Sequence, residues 1–234
     1  MAIDTSYIIA NVILATIEIV LFTLCILIYK NTKGASIAYK KWATATFLLL
    51  IGASVYLSFG IAFGCNASST TTINEFHKIV GETISVVAYI YLPIGIMYLS
   101  KDMGFSNLNE YRIKKIQTIF FGIVLSIATF FAAVFLFFSI LQLLGTIYHV
   151  IYTIIWISAI YYYNNIYKYL KATNICWTHL YIALIVSLVS SLLGVVYYIT
   201  VSNTVYLFNL ISQLFMAIFY ISGFFKLARM VEAI

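Results

Sequence analysis

Aspartate occurs twice in this chain, at Asp4 and Asp102, and neither falls inside an apolar stretch. The chain has no glycine-rich phosphate loop, no His-x-x-x-His pattern, no Gly-x-Ser-x-Gly turn and no pair of nearby aspartates. Phosphoryl transfer, zinc hydrolysis and serine-nucleophile chemistry therefore lack their usual groups, and the expected class is non-enzymatic. Cysteine is also scarce, limited to Cys25, Cys65 and Cys176. Their places at three different depths of the span map below exclude a disulfide framework, and no Cys-x-x-Cys or Cys/His spacing suggests a metal cluster. Proline appears once, at Pro93. Only 9% of residues are charged while 64% are hydrophobic, a proportion no soluble fold accommodates.

What the chain has instead is length in apolar runs. Seven stretches, at about 7–29, 43–63, 78–100, 116–138, 144–163, 178–200 and 205–225, each suffice to cross ~30 Å of hydrocarbon. The fold class expected is an all-α polytopic membrane protein, a seven-transmembrane-helix bundle forming one membrane domain over 1–234. The loops at 64–77 and 101–115 are too short for an independent core. Met1 to Tyr7 carries Asp4 and no Lys or Arg, so span 1 reads as a retained helix rather than a cleaved signal. Twelve of the thirteen Lys and Arg residues fall on one side of the alternating map, Lys78 being the exception. The positive-inside rule then places the N-terminus outside and the C-terminus in the cytoplasm. The net charge of +6, spread over short loops, suits lipid headgroups rather than nucleic acid.

Seven spans invite a three-plus-one-plus-three repeat. Lys40-Lys41-Trp42 enters span 2 much as Ile175-Cys176-Trp177 enters span 6, and spans 3 and 7 both end in a basic residue, Lys101 and Lys226. Microbial rhodopsins and SWEET sugar transporters share this topology. A rhodopsin carries retinal on a lysine in the middle of its last helix, where this chain reads Asn209-Leu210-Ile211-Ser212-Gln213, which argues against retinal. SWEET proteins carry proline-bearing helices with a Pro-Gln motif, and here Pro93 is followed by Ile94. Neither resemblance extends beyond topology.

Ionisable groups at membrane depth are costly, so each is a candidate for function. Glu18 lies near the middle of span 1, and helical spacing puts Asn11, Ala15, Glu18, Phe22 and Cys25 on one face. Loss of hydration disfavours its charged form, so the expectation is a neutral acid hydrogen-bonded to a neighbouring helix. Glu82 follows Lys78 by four residues, a spacing at which such a pair closes locally. Yet Glu82, Ser85, Tyr89 and Pro93 also continue one face of span 3. On span 7, Asn209 and Gln213 share a face. With His149, these residues populate the outer half of the bundle, whereas the inner half offers mainly Thr44, Thr46, Ser158, His179 and Ser222. A conducting path needs polar groups across the full depth, and a pocket needs them on one side.

The reading is therefore a receptor, sensor or ligand-binding subunit taking a small ligand, ion or lipid, with Glu18, Asn11, Glu82, His149, Asn209 and Gln213 as candidate contacts. One alternative is a small-solute or proton-coupled transporter using Glu18. Another is a membrane subunit of an electron-transfer complex, with haem b or quinone near His77 and His149. Asn66-Ala67-Ser68 matches a glycosylation acceptor. The tyrosines near helix ends, with Trp42 and Trp177, read as an interfacial anchoring belt. Ser187, Ser191 and Gly194 on span 6 read as a close-packing face within the bundle or towards a protein partner, the basic inner loops being the other partner surface.

Overall fold

A computed structural model describes residues 5–32, 36–63, 72–104, 108–134, 141–170 and 175–232. Among them are seven helices: α1 (Thr5–Asn31), α2 (Ile37–Phe63), α3 (Thr72–Asp102), α4 (Glu110–Val134), α5 (Leu141–Leu170), α6 (Ile175–Thr200) and α7 (Asn203–Glu232). Each is long and apolar enough to cross a membrane, and the chain is a multi-pass membrane protein. Several helices outrun the apolar stretches because backbone hydrogen bonding continues beyond them. With 31 residues, α3 is roughly 46 Å long, well beyond the hydrocarbon. Residues 135–138 of the expected fourth span, together with Cys65 and Asn66, lie outside the described residues.

Local chemistry sets several boundaries. Ser36 caps α2, its Oγ accepting the Ala38 N–H at 3.2 Å while its hydroxyl donates to Asp102 at the end of α3 at 2.8 Å. Asn109 caps α4 through the Arg112 N–H at 2.9 Å. Gly104, at φ +73°, closes the last turn of α3 in the left-handed region. The α6–α7 turn uses Val201 at φ 51° instead, where a β-branched side chain is strained. Left-handed backbone costs roughly 1–2 kcal/mol, partly offset by the extra chain entropy of glycine, so Val201→Gly is expected to stabilise by about 0.5–1 kcal/mol. Thermal unfolding in detergent measures this.

The helices pack as a ring of six. Following the contacts, α1 lies on α2, α2 on α3, α3 on α5, α5 on α6, α6 on α7, and α7 returns to α1. Among the described residues α4 sits outside this ring against α3, exposing Ile119, Ile123, Leu125 and Phe130. Large apolar side chains such as Ile13, Ile19, Phe47, Ile157 and Phe215 face outwards around the ring, as lipid contact requires. The order of contacts is unchanged when α1, α2 and α3 are exchanged with α5, α6 and α7.

Several residues read as interfacial turn out to be internal. Trp42 and Trp177 are both only 3% exposed. The Trp42 ring lies where a Cβ on Gly95 would stand, and its Nε1–H donates to the Leu92 carbonyl at 3.1 Å. This contact is made on α3 beside Pro93, through which the helix runs unbroken. Tyr163 is buried, stacks on Tyr181 and donates to the Trp177 carbonyl at 2.9 Å, whereas Tyr161 and Tyr169 are exposed. The tyrosine cluster at the C-terminal end of α5 is thus part core and part surface. Cys25 and Cys176 are buried. The small-residue face of α6 is occupied within the chain: Ser187, Ser190 and Ser191 are buried, and Gly194 receives an α5 side chain.

Candidate functional site

The ring encloses a cavity of about 230 Å³, lined by all six ring helices and not by α4. Helical spacing explains which side chains reach it. On α3, Glu82, Ser85, Tyr89 and Leu92 recur every three or four residues and form one stripe. On α5 the stripe is His149, Tyr152 and Trp156, and on α7 it is Gln213, Met216, Ala217, Tyr220 and Phe224. Glu82 with Tyr89 and Gln213 with Tyr220 are matched pairs, seven residues apart, on α3 and α7.

Glu82 is held from α5. The Tyr152 hydroxyl donates to its Oε2 at 2.5 Å, a short bond to a carboxylate. Local closure onto Lys78, which the spacing favours, gives way to this contact because Glu82 turns into the bundle. Tyr89 stands edge-on to both Tyr152 and Trp156, with ring centroids 5.1 and 5.2 Å apart, and builds an aromatic wall between α3 and α5. Tyr89 is within electrostatic reach of both Glu18 and Glu82. Glu18 lines the cavity from α1, so it faces the bundle and not lipid. Its Oε2 is buried without a hydrogen-bond partner, contrary to the expected bond from a neighbouring helix.

His149 is positioned by α6. Its imidazole fills the notch left by Gly194, next to the rings of Tyr152 and Tyr198, and its Nδ1 is buried without a hydrogen-bond partner. A methyl group at 194 would overlap the imidazole, so Gly194→Ala must push α5 and α6 apart or turn His149 out of its place. The expected cost is about 1–3 kcal/mol, read as a lowered unfolding temperature in detergent. Opposite the carboxyls, Ser190 donates to Asn209 Oδ1 at 2.7 Å, and Gln213 Nε2 donates to the same oxygen at 3.4 Å.

The structure thus brings Glu18, Glu82, His149 and Gln213 to one cavity, with Asn209 one hydrogen bond behind the wall. Asn11 is buried on α1 away from the lining. His77 is buried too, its ring against Tyr56 and Phe59 of α2, and it is not part of the lining of this cavity. Among the described residues no group of three or more His, Cys, Asp or Glu side chains forms a metal site. Sequence reasoning missed Tyr152, Trp156 and Tyr220. Their helical spacing, Tyr152 three and Trp156 seven residues after His149 and Tyr220 seven after Gln213, was the signal that could have found them.

A second polar cluster joins the first turns of α6 to the C-terminal part of α7. Ser222 Oγ is 2.8 Å from His179 Nδ1, and Lys226 Nζ is 3.4 Å from His179 Nε2. Because the lysine ammonium only donates, Nε2 must accept, which leaves Nδ1–H to donate to Ser222. The arrangement ties α6 to α7.

Comparison with family models, curated proteins and solved structures finds no match to this chain.

Proposed function

We propose that this chain is a non-enzymatic receptor, sensor or ligand-binding subunit that takes a small molecule into the cavity of its six-helix ring. The observation that carries this reading is a buried, mixed polar and aromatic wall in which Glu18 Oε2 and His149 Nδ1 lack protein partners. Buried polar groups are normally satisfied, and a ligand with matching groups satisfies these. The absence of catalytic sequence patterns supports a binding role over an enzymatic one. In the proposed orientation the N-terminus is outside, and the basic helix ends and loops face a cytoplasmic partner. The polar wall then lies in the outer half, since Glu82, His149 and Gln213 all belong to the first halves of inward-running helices. The helix contact order and the Glu82–Tyr89 and Gln213–Tyr220 pairs support a repeat of three helices on either side of α4.

Two experiments test this reading. Ala217 is a small lining residue, so Ala217→Leu narrows the cavity without adding a polar group. A small molecule that raises the unfolding temperature of the wild type is expected to lose that effect in Ala217→Leu, and equal shifts in both proteins would place binding elsewhere. For orientation, Thr5→Cys and Glu232→Cys, each in a background lacking Cys65, are expected to react with an impermeant thiol reagent from opposite sides of the membrane. Reaction from the same side would overturn the map. Substrate-dependent proton uptake into liposomes, abolished by Glu18→Gln, would favour the transporter over the receptor.

A further inference from the structure

Resting on the ligand-binding reading, the geometry points to the chemical class of the ligand: we propose a small organic ammonium ion carrying an apolar, ring-sized body. Charge comes first. Among the described residues the cavity wall carries two carboxyls, Glu18 and Glu82, and no Lys or Arg. An anion entering this space would meet two acids and no positive side chain. A cation buried at membrane depth needs a counter-charge, and Glu82, already oriented by Tyr152, supplies it. The Glu18 Oε2, without a protein partner, accepts an ammonium N–H.

The remaining wall suits the body of such a molecule. Tyr89, Tyr152, Trp156 and Tyr220 surround the space with aromatic rings, whose negative faces attract a cation and whose area holds an apolar group. Size agrees. About 230 Å³ is larger than the ~150 Å³ cavity that accepts benzene, and far larger than a bare metal ion needs. The wall is also polarised. Both carboxyls come from α1 and α3, while α6 and α7 offer the neutral Ser190 and Gln213. The ligand accordingly lies with its nitrogen towards α1 and α3 and its far end towards α6 and α7.

The test uses the full chain in nanodiscs at pH 7 and three probes of one size, 2-phenylethylammonium, 2-phenylethanol and phenylacetate, titrated by calorimetry. The ammonium is expected to bind about ten-fold or more tighter than the alcohol, with no binding of phenylacetate. Glu82→Gln is expected to bring the affinity of the ammonium down to that of the alcohol, and Ala217→Leu to weaken both. If Glu82→Gln fails to elute as a folded species, Glu18→Gln takes its place, with an expected loss of about three- to ten-fold. Alcohol or carboxylate binding as tightly as the ammonium, or a carboxyl variant without effect, overturns the cation proposal. Provided Ala217→Leu still weakens the probes, the cavity reading then survives. Absence of binding by all three probes, or equal binding in Ala217→Leu, overturns both.

Discussion

Replacing Trp42 with alanine is expected to lower the stability of the bundle by about 2–4 kcal/mol, the low side of aromatic truncation in soluble cores. The estimate is reduced because unfolding within a bilayer transfers apolar surface to lipid and not to water, leaving lost packing as the main term. Trp42 fills the notch at Gly95, meets Tyr39 and Phe224 edge-on, and donates its indole N–H to Leu92. Alanine removes all of these at once and opens a space between α2 and α3. In thermal unfolding of detergent-purified protein this corresponds to roughly 5–15 °C. Trp42→Phe should recover part of the loss, because it restores ring packing without the hydrogen bond. An unfolding temperature unchanged in Trp42→Ala would refute the assignment of this ring to the core.

The second large effect belongs to Tyr152. In Tyr152→Phe the ring stays against Tyr89 and His149 while the hydroxyl that donates to Glu82 is lost. Leaving the half-buried Glu82 carboxyl group without this donor is expected to cost about 1–3 kcal/mol. In the double variant Tyr152→Phe, Glu82→Gln, the acceptor that needed the bond is replaced by a neutral amide, so the two losses should not add. A double-mutant cycle on unfolding free energy is expected to give a coupling of about 1 kcal/mol or more, as for residues in one hydrogen-bond network. Simple additivity would show that the short contact contributes nothing.

The number and approximate extent of the spans were legible because length and hydropathy alone decide whether a helix crosses a bilayer. The inward faces were partly legible through the residues lipid rejects. Glu18, Glu82, His149 and Gln213 are spread over 195 positions of sequence, from 18 to 213, and all reach one cavity. Tyrosine gave no such signal. Its ring serves both a headgroup belt and a buried wall, and with 20 copies in the chain composition cannot separate the two uses. Trp42 and Trp177 misled for a related reason: their positions near span ends suggest an interface, whereas lateral packing against neighbouring helices buries them. The Lys78–Glu82 spacing describes what an isolated helix favours, and Tyr152 on another helix overrides it. Nothing in any one helix discloses the order of the ring or the exclusion of α4, since both depend on how seven similar cylinders choose neighbours.

Closure of the ring by α1 against α7 has a consequence for biogenesis. Of the seven helices, the one bearing Glu18 is synthesised before the others and α7, which completes its surroundings, after them. About 200 residues separate the end of α1 from the end of α7, so at ribosomal speeds the first helix waits about 10–40 s for its partner. Throughout that interval a carboxyl group destined for the interior sits in a half-built assembly, shielded by α2 and by whatever the insertion machinery provides. Nascent chains arrested before Asn203 should therefore depend on membrane chaperones far more than the finished protein does.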